Sequence, residues 1–356
     1  MRGPILSIDL DIIERNARTV VTRCAQDGIA VVGVTKGTCG QPDVAAAMLR
    51  GGVQGLAESR LENLARLRGA GITASMLLLR QPAPSQADQV VRLADASLNS
   101  ELATLHALSA AALRAGRLHQ VILMVDLGDL REGLWPDQLL PAAVAAQQLP
   151  GIVLSGIGTN LNCLGGVLPS TANMRQLLEL AAQVRQVTGL PLPLVSAGNS
   201  GALPLLLAGA MPAGVSQLRI GEAILQGGRD TFFERPWPAL ERNAFTLSGA
   251  LLEVKTKPTV PIGERGVDAF GRRPDFPDQG LRLRGVLDIG QQDASIDSLF
   301  PLDAGVRIVG GSSDHLVVDL AGMPAPPKVG QRLRFALGYG SLLRAMTSSY
   351  VEKHFL

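Results

Sequence analysis

Only three cysteines occur in 356 residues, Cys24, Cys39 and Cys163, an odd number at wide spacing. They support neither a disulfide framework nor a metal-ligand pattern, which points to a reducing, cytoplasmic setting. Charge of one sign is missing too: Lys+Arg 33 against Asp+Glu 31 gives a formal net charge of +2, with no basic block. Nucleic acid and anionic membrane are therefore not suggested as partners. Long apolar runs are absent. The longest candidate, 202–211, contains Pro204 and falls well short of the ~18 residues of a membrane span. Asp9 comes too early for a secretory signal. Aromatics supply 3% of the chain, so its core must be built from small and aliphatic residues, the texture of a helix-rich α/β chain.

What is present is a beat. Apolar strand candidates at 31–36, 55–58, 75–79, 96–98, 120–125, 152–157, 192–195 and 217–220 alternate with helical stretches. Eight such units in about 230 residues predict a (β/α)₈ TIM-type barrel, and the lack of a Gly-rich dinucleotide fingerprint after the first strand argues against an open doubly wound sheet. Beyond Phe232 the segments become short and alternating, separated by Gly and Pro, which predicts a C-terminal, mostly β domain. The expected division is a barrel over 8–232 and a β domain over 233–356, with 1–7 a candidate addition to the latter. Segment 263–280 is a long Pro- and Gly-rich loop.

The strand candidates end in polar residues: Lys36, Glu58, Arg80, Asp126, Asn160, Asn199 with Ser200, and Arg219. In a barrel those ends share one mouth, where function sits. Lys36 closes a run of Val, Gly and Thr. A lysine desolvated there loses pKa and exposes its amine lone pair, as a Schiff-base lysine requires, although its stem could equally pack on the strand with the head in water.

A series of segments carries a resemblance over nearly the whole chain: VTKGTCG (34–40), GLAESRLENL (55–64), LGDLREG (127–133), GTNLNCLGG (158–166), SAGNSGALP (196–204), LRIGEAILQG (218–227), KPTVPIGERGVDAFG (257–271) and GGSSDHLVVDL (310–320). In motif and order the chain resembles the fold-type III pyridoxal-phosphate enzymes, the alanine racemase superfamily, and within it the ornithine/lysine-type racemases. The resemblance implies PLP as cofactor, Lys36 as its Schiff-base lysine and proton-transfer base, and Arg219 facing the ring nitrogen. It implies phosphate contacts from Asn199 and Ser200 and from Ile220, Gly221 and Glu222 at the seventh and eighth strand ends, with Tyr350 adding a hydroxyl. Asn160 matches a family histidine near the cofactor ring. Arg131 matches the arginine that anchors the substrate carboxylate, although it can also pair with Glu132 or Asp129.

Racemisation needs a second proton-transfer group, and the place where alanine racemases keep a partner-subunit tyrosine reads Asp268-Ala269-Phe270-Gly271 here. The candidates are His315, Asp268 and Tyr339. His315 is preferred because imidazole titrates in the useful range and because SSDH matches a family turn that crosses the dimer, placing Asp314 and His315 beside the substrate. The expectation is a head-to-tail homodimer that racemises a free amino acid, a basic one such as ornithine or lysine, without a metal. For a distal amine, Glu58, Glu222, Asp268 and Asp314 are the available acids. The alternatives are a non-catalytic PLP-binding protein or a racemase of alanine or another small amino acid.

Overall fold

A computed structural model describes residues 3–232 and 235–356. The chain forms two compact units, one of residues 11–241 and one of residues up to Leu10 together with 242–356. The expected boundary at 232/233 falls on Phe233 and Glu234, which lie outside the described residues.

The chain opens with β1 (Ile5–Ile8) and α1 (Leu10–Ala25), and the eight-stranded closed parallel barrel follows. Its strands are β2 (Ala30–Val34), β3 (Gly55–Glu58), β4 (Met76–Leu78), β5 (Ala96–Asn99), β6 (His119–Met124), β7 (Ile152–Thr159), β8 (Leu194–Ala197) and β9 (Gln217–Ile220). Pairing of β2 with β9, Val32 opposite Arg219, closes the ring. Between strands run α2 (Pro42–Arg50), α3 (Leu61–Gly69), α4 (Ala87–Leu93), α5 (Leu102–Arg114), α6 (Leu139–Gln147), α7 (Thr171–Thr188), α8 (Leu203–Leu207) and α9 (Glu222–Gln226). The (β/α)₈ expectation is thus met.

Side chains fill the barrel: Val32, Val34, Ala57, Leu77, Leu98, Ile122 and Met124 form one buried cluster. They come from successive strands in register, the layered interior that makes such barrels solid. Gly158 shows how tight the wall is. A Cβ there would lie 2.8 Å from the Ser196 carbonyl oxygen and 3.2 Å from Met124 Sδ. Among the described residues no helix is long and apolar enough to cross a membrane.

The other unit is an eight-stranded sheet. Its elements are β10 (Phe245–Pro258), β11 (Leu281–Leu287), β12 (Leu299–Pro301), β13 (Arg307–Gly311), β14 (Leu316–Asp319), β15 (Arg332–Leu337), α10 (Tyr339–Thr347) and β16 (Glu352–Phe355), with β1 inserted between β10 and β16. The long β10 pairs with β1 and β15 through its first half and with β11 through its second. A register shift between Leu251 and Glu253 hands it from one set of partners to the other. Short β1, β12 and β16 were not anticipated, because three or four residues carry too little alternation to stand out.

Candidate active site

Strand β2 stops at Val34, two residues earlier than the sequence reading placed it. Lys36 instead opens a single 3₁₀ turn, Lys36–Thr38. The Thr35 carbonyl accepts the Thr38 N–H at 2.9 Å, the Thr38 hydroxyl at 3.0 Å and the Gly40 N–H at 3.3 Å. The turn then exits through Cys39 at φ 54° and Gly40 at φ +60°. Gly40 must be glycine on two counts, since a Cβ there would also sit 2.8 Å from Asn63 Cβ on α3. This rigid turn holds the half-buried Lys36. Burial pushes its pKa below the ordinary lysine value; the nearby Arg131 charge pushes the same way, while Cys163, Glu58 and Glu132 oppose. Those groups stand at the end of β3 and in the loops after β6 and β7, the same C-terminal end of the barrel as the turn after β2 that carries Lys36.

Glu58, at the end of β3, is wholly buried. One oxygen accepts the Ser59 N–H at 3.0 Å. Burial drives its pKa up from 4.5 to about 7, against the Ser59 N–H and the charge of Lys36. Between those two values the folded chain holds more protons at this site than the unfolded chain, so stability is withdrawn as pH rises through that window. Glu58→Gln lacks that loss. Its unfolding free energy relative to wild type is expected to rise between about pH 5 and about pH 8, by at most on the order of 3 kcal/mol. A pH-independent difference in urea titrations would refute this assignment.

Arg219 on β9 is buried. Its Nη1 donates to the Ser196 carbonyl at 3.1 Å and to Ser196 Oγ, and its Nη2 donates to the Thr159 carbonyl at 2.7 Å. The guanidinium thereby ties β9 to β8 and β7 below the mouth. Burial pushes its pKa down to about 10, which still leaves it protonated at neutral pH. Beside it, Asn199 Nδ2 donates to Asn160 Oδ1 at 3.2 Å and to the Leu161 carbonyl at 2.9 Å, and Asn199 Oδ1 accepts the Gly201 N–H at 2.8 Å. Ser200 Oγ accepts the Ala223 N–H at 3.1 Å, leaving its own proton to donate. Gly221 lets α9 start close to β2, since a Cβ there would be 3.0 Å from Val34 Cβ. The Glu222 carboxylate turns to the Asp230 N–H (3.0 Å) and the Thr231 hydroxyl (2.7 Å), so only its backbone is placed to meet a ligand.

Among the described residues, five buried polar atoms at or just beyond the strand ends have no hydrogen-bond partner: Thr35 Oγ1, Glu58 Oε2, Asn99 Oδ1, Thr159 Oγ1 and Asn160 Nδ2. Orphans of this kind are uncommon in a folded protein, and several around one mouth mark where a polar ligand sits. The donor set suits pyridoxal phosphate: an amine of lowered pKa for the carbonyl carbon, a fixed cation for the ring, and hydroxyl and N–H donors for the phosphate. Among the described residues no group of His, Cys, Asp and Glu could hold a metal ion.

Arg131 lies in the loop after β6. It pairs with Glu132 through two contacts, Nε to Oε2 and Nη2 to Oε1, and its Nη1 lies 2.9 Å from Cys163 Sγ. The loop is held by Asp129. Burial works against that carboxylate, but the N–H groups of Leu164 (2.8 Å), Cys163 (3.4 Å) and Val167 (3.3 Å) hold its pKa below the usual range. Leu130 at φ 56° and Asn162 at φ 54° are strained backbone in the two loops so joined. Asp129→Ala leaves those donors unmatched. It is expected to cost about 1–3 kcal/mol of stability and to raise the substrate KM more than it lowers kcat, in a steady-state assay.

The remaining expected residues belong to the other unit. His315 is exposed on the four-residue turn 312–315 between β13 and β14, its N–H 3.2 Å from Ser312 Oγ. Asp314 accepts from Gln292 Nε2 (2.8 Å) and from the Ser313 hydroxyl (2.6 Å). Asp268 accepts the N–H groups of Phe270 and Arg272, both at 2.8 Å, and Arg272 Nε at 3.3 Å. Chiefly the Arg272 N–H holds its pKa below the usual value. Tyr350 is exposed near the C-terminus, and Tyr339 opens α10. The sequence reading passed over Asp129 and Glu132 as functional groups; the acid-dense LGDLREG was the available signal.

The model of the alanine racemase N-terminal domain family matches residues 8–227. The chain is 40% identical over 354 residues to the ornithine racemase of Acetoanaerobium sticklandii, covering 99% of each. It is also 40% identical over 350 residues to the lysine racemase of Thermotoga maritima, covering 98% of each. A crystal structure of alanine racemase from Bartonella henselae with covalently bound pyridoxal phosphate superposes with a TM-score of 0.75 at 17% identity, covering 100% of both chains.

Proposed function

The chain belongs to the alanine racemase family, and from that premise we propose that it interconverts the L and D forms of a free basic amino acid, ornithine or lysine, with pyridoxal phosphate as cofactor. The observation that carries the reading is full-length similarity, at 40% identity, to racemases of those two amino acids. When bound, the cofactor supplies the electron-withdrawing ring that acidifies the substrate's Cα–H.

The chain's own residues supply the rest. Lys36 would carry the cofactor and, as a neutral amine, would take or return the Cα proton on one face. Its lowered pKa supports that role. Arg219 would face the ring nitrogen as a cation that keeps its own protons. Asn160 would lie near the ring. Asn199, Ser200 and the backbone of Ile220, Gly221 and Glu222 would meet the phosphate, with Tyr350 adding its hydroxyl. Arg131 would hold the α-carboxylate, with Asp314 beside it.

For the opposite face we assign His315, with Asp268 second. The ring of His315 sits on a tight, exposed turn, whereas the Asp268 carboxylate is engaged by its own loop. The reading extends to a head-to-tail homodimer in the cytoplasm. An odd number of widely spaced cysteines suits a reducing compartment, and the SSDH turn resembles one that crosses such dimers.

The test is incubation of the PLP-loaded protein with single L-amino acids in D₂O, followed by mass and chiral analysis. Ornithine or lysine should gain α-deuterium and the D form. No α-deuteration of either would overturn the reading. For His315, a His315→Asn variant that racemises at the wild-type rate in both directions would remove that assignment.

A further inference from the structure

The Arg131–Glu132 pair sits at the barrel mouth with both side chains about a third exposed, 34% and 33%. Its place is fixed from both sides. Asp129 two residues earlier is pinned to the loop after β7, and Gly133 at φ +145° packs so closely that a Cβ there would lie 2.4 Å from the Asp126 nitrogen. The charge of Glu132 acts on both Lys36 and Arg219, opposing the fall in pKa of each. Its carboxylate is held on Arg131 in the loop after β6, at the same end of the barrel as the turn after β2 that carries Lys36.

A guanidinium has five N–H donors. Glu132 engages Nε and Nη2, Cys163 lies against Nη1, and the outer edge of the fork is left for a substrate carboxylate. That carboxylate would meet an arginine whose charge is already matched, with a second carboxylate on the neighbouring edge of the same group. Two anions sharing one cation repel, and a neutral amino acid brings nothing to offset this. A diamino acid brings its own cation on a short methylene chain.

We propose that Glu132 receives the distal ammonium of the substrate, so that a dibasic amino acid completes a four-charge arrangement with Arg131 that a neutral one leaves unbalanced. The inference rests on the racemase reading and names its specificity residue. Glu58 and Glu222 fit this role less well, the first being wholly buried and the second turned to Asp230 and Thr231.

The probes are 5-aminopentanoate and pentanoate, which share a carboxylate, lack the α-amine and cannot react. Calorimetric titration of the PLP-loaded wild type should give about five- to tenfold tighter binding of the aminated ligand. In Glu132→Gln the ratio should fall to about one, mainly because pentanoate binds more tightly. Glu132→Asp should keep part of the preference, which a purely structural role for Glu132 would not predict. In parallel, the kcat/KM ratio of ornithine to norvaline should drop about tenfold in Glu132→Gln. An unchanged ratio in both assays, with wild type racemising ornithine, would overturn the assignment of Glu132 and leave the racemase reading intact. Failure of wild type to racemise ornithine or lysine would overturn that reading. The ligand pair would then still report on Glu132 alone, its lost preference supporting the amine site and its kept preference refuting it.

Discussion

Lys36→Ala is expected to abolish racemisation, with a loss of more than ~10³-fold in kcat, and to remove the visible absorbance of a protein-bound lysine imine. Two functions converge on this amine. In the proposed mechanism it would carry the cofactor covalently, and it would have to be neutral when a Cα proton arrives. An ordinary lysine is almost wholly protonated at neutral pH. Burial first, and the Arg131 charge second, shift Lys36 toward the neutral form.

The same shift predicts how the variant separates chemistry from folding. In the cofactor-free protein, the folded chain releases the Lys36 proton at lower pH than the unfolded chain does. Between the lowered value and 10.5 the unfolded chain holds more protons, so stability rises with pH through that window. Lys36→Ala should lack this rise, fold normally at neutral pH, and stay inactive at every pH. Chiral chromatography, the absorption spectrum and urea titrations at several pH values check the three parts. An active Lys36→Ala enzyme would end the mechanism proposed for this site.

How much of this was legible beforehand depends on the length scale of each signal. The barrel was legible because eight apolar strands of three to eight residues repeat with helices between them, and periodicity survives local misplacement. Strand β2 was drawn two residues too long because Val34-Thr35-Lys36 has strand-like composition, while the turn at Lys36 is set by contacts to the Thr35 carbonyl that composition does not report. Lys36, Asn160, Asn199, Ser200 and Arg219 were legible as polar ends of apolar strands.

The Asp129 clamp was not, because it links loops 34–38 residues apart through backbone N–H groups, which carry no sequence identity. The strained backbone at Leu130 and Asn162 was equally hidden, since neither is the glycine that usually marks a positive φ. Glu132 was visible only as a rival partner for Arg131. What gives it a second meaning is the company of Lys36 and Arg219, residues 96 and 87 positions away in the chain.

Arg219→Met is expected to lower the melting temperature by about 4 °C or more and to eliminate activity. The guanidinium donates to the Ser196 carbonyl, Ser196 Oγ and the Thr159 carbonyl, all buried, and it links three adjacent strands. A methionine of similar volume keeps the packing and offers none of those donors. Each abandoned acceptor costs about 1–3 kcal/mol, and the relief of no longer burying an arginine offsets part of the total. A net loss of about 3 kcal/mol or more follows, which at ~2.1 cal/mol/K of unfolding entropy per residue shifts the melting temperature of a 356-residue chain by about 1–1.5 °C per kcal/mol. Arg219→Lys should recover part of the stability, because an ammonium satisfies some of the acceptors. It should not recover activity, since a single flexible point charge cannot hold the strand ends and also take the place proposed for the guanidinium opposite the ring nitrogen. Calorimetry and racemisation assays on the two variants decide the matter: a melting temperature of Arg219→Met within about 2 °C of wild type would mean that the three bonds do not brace the mouth.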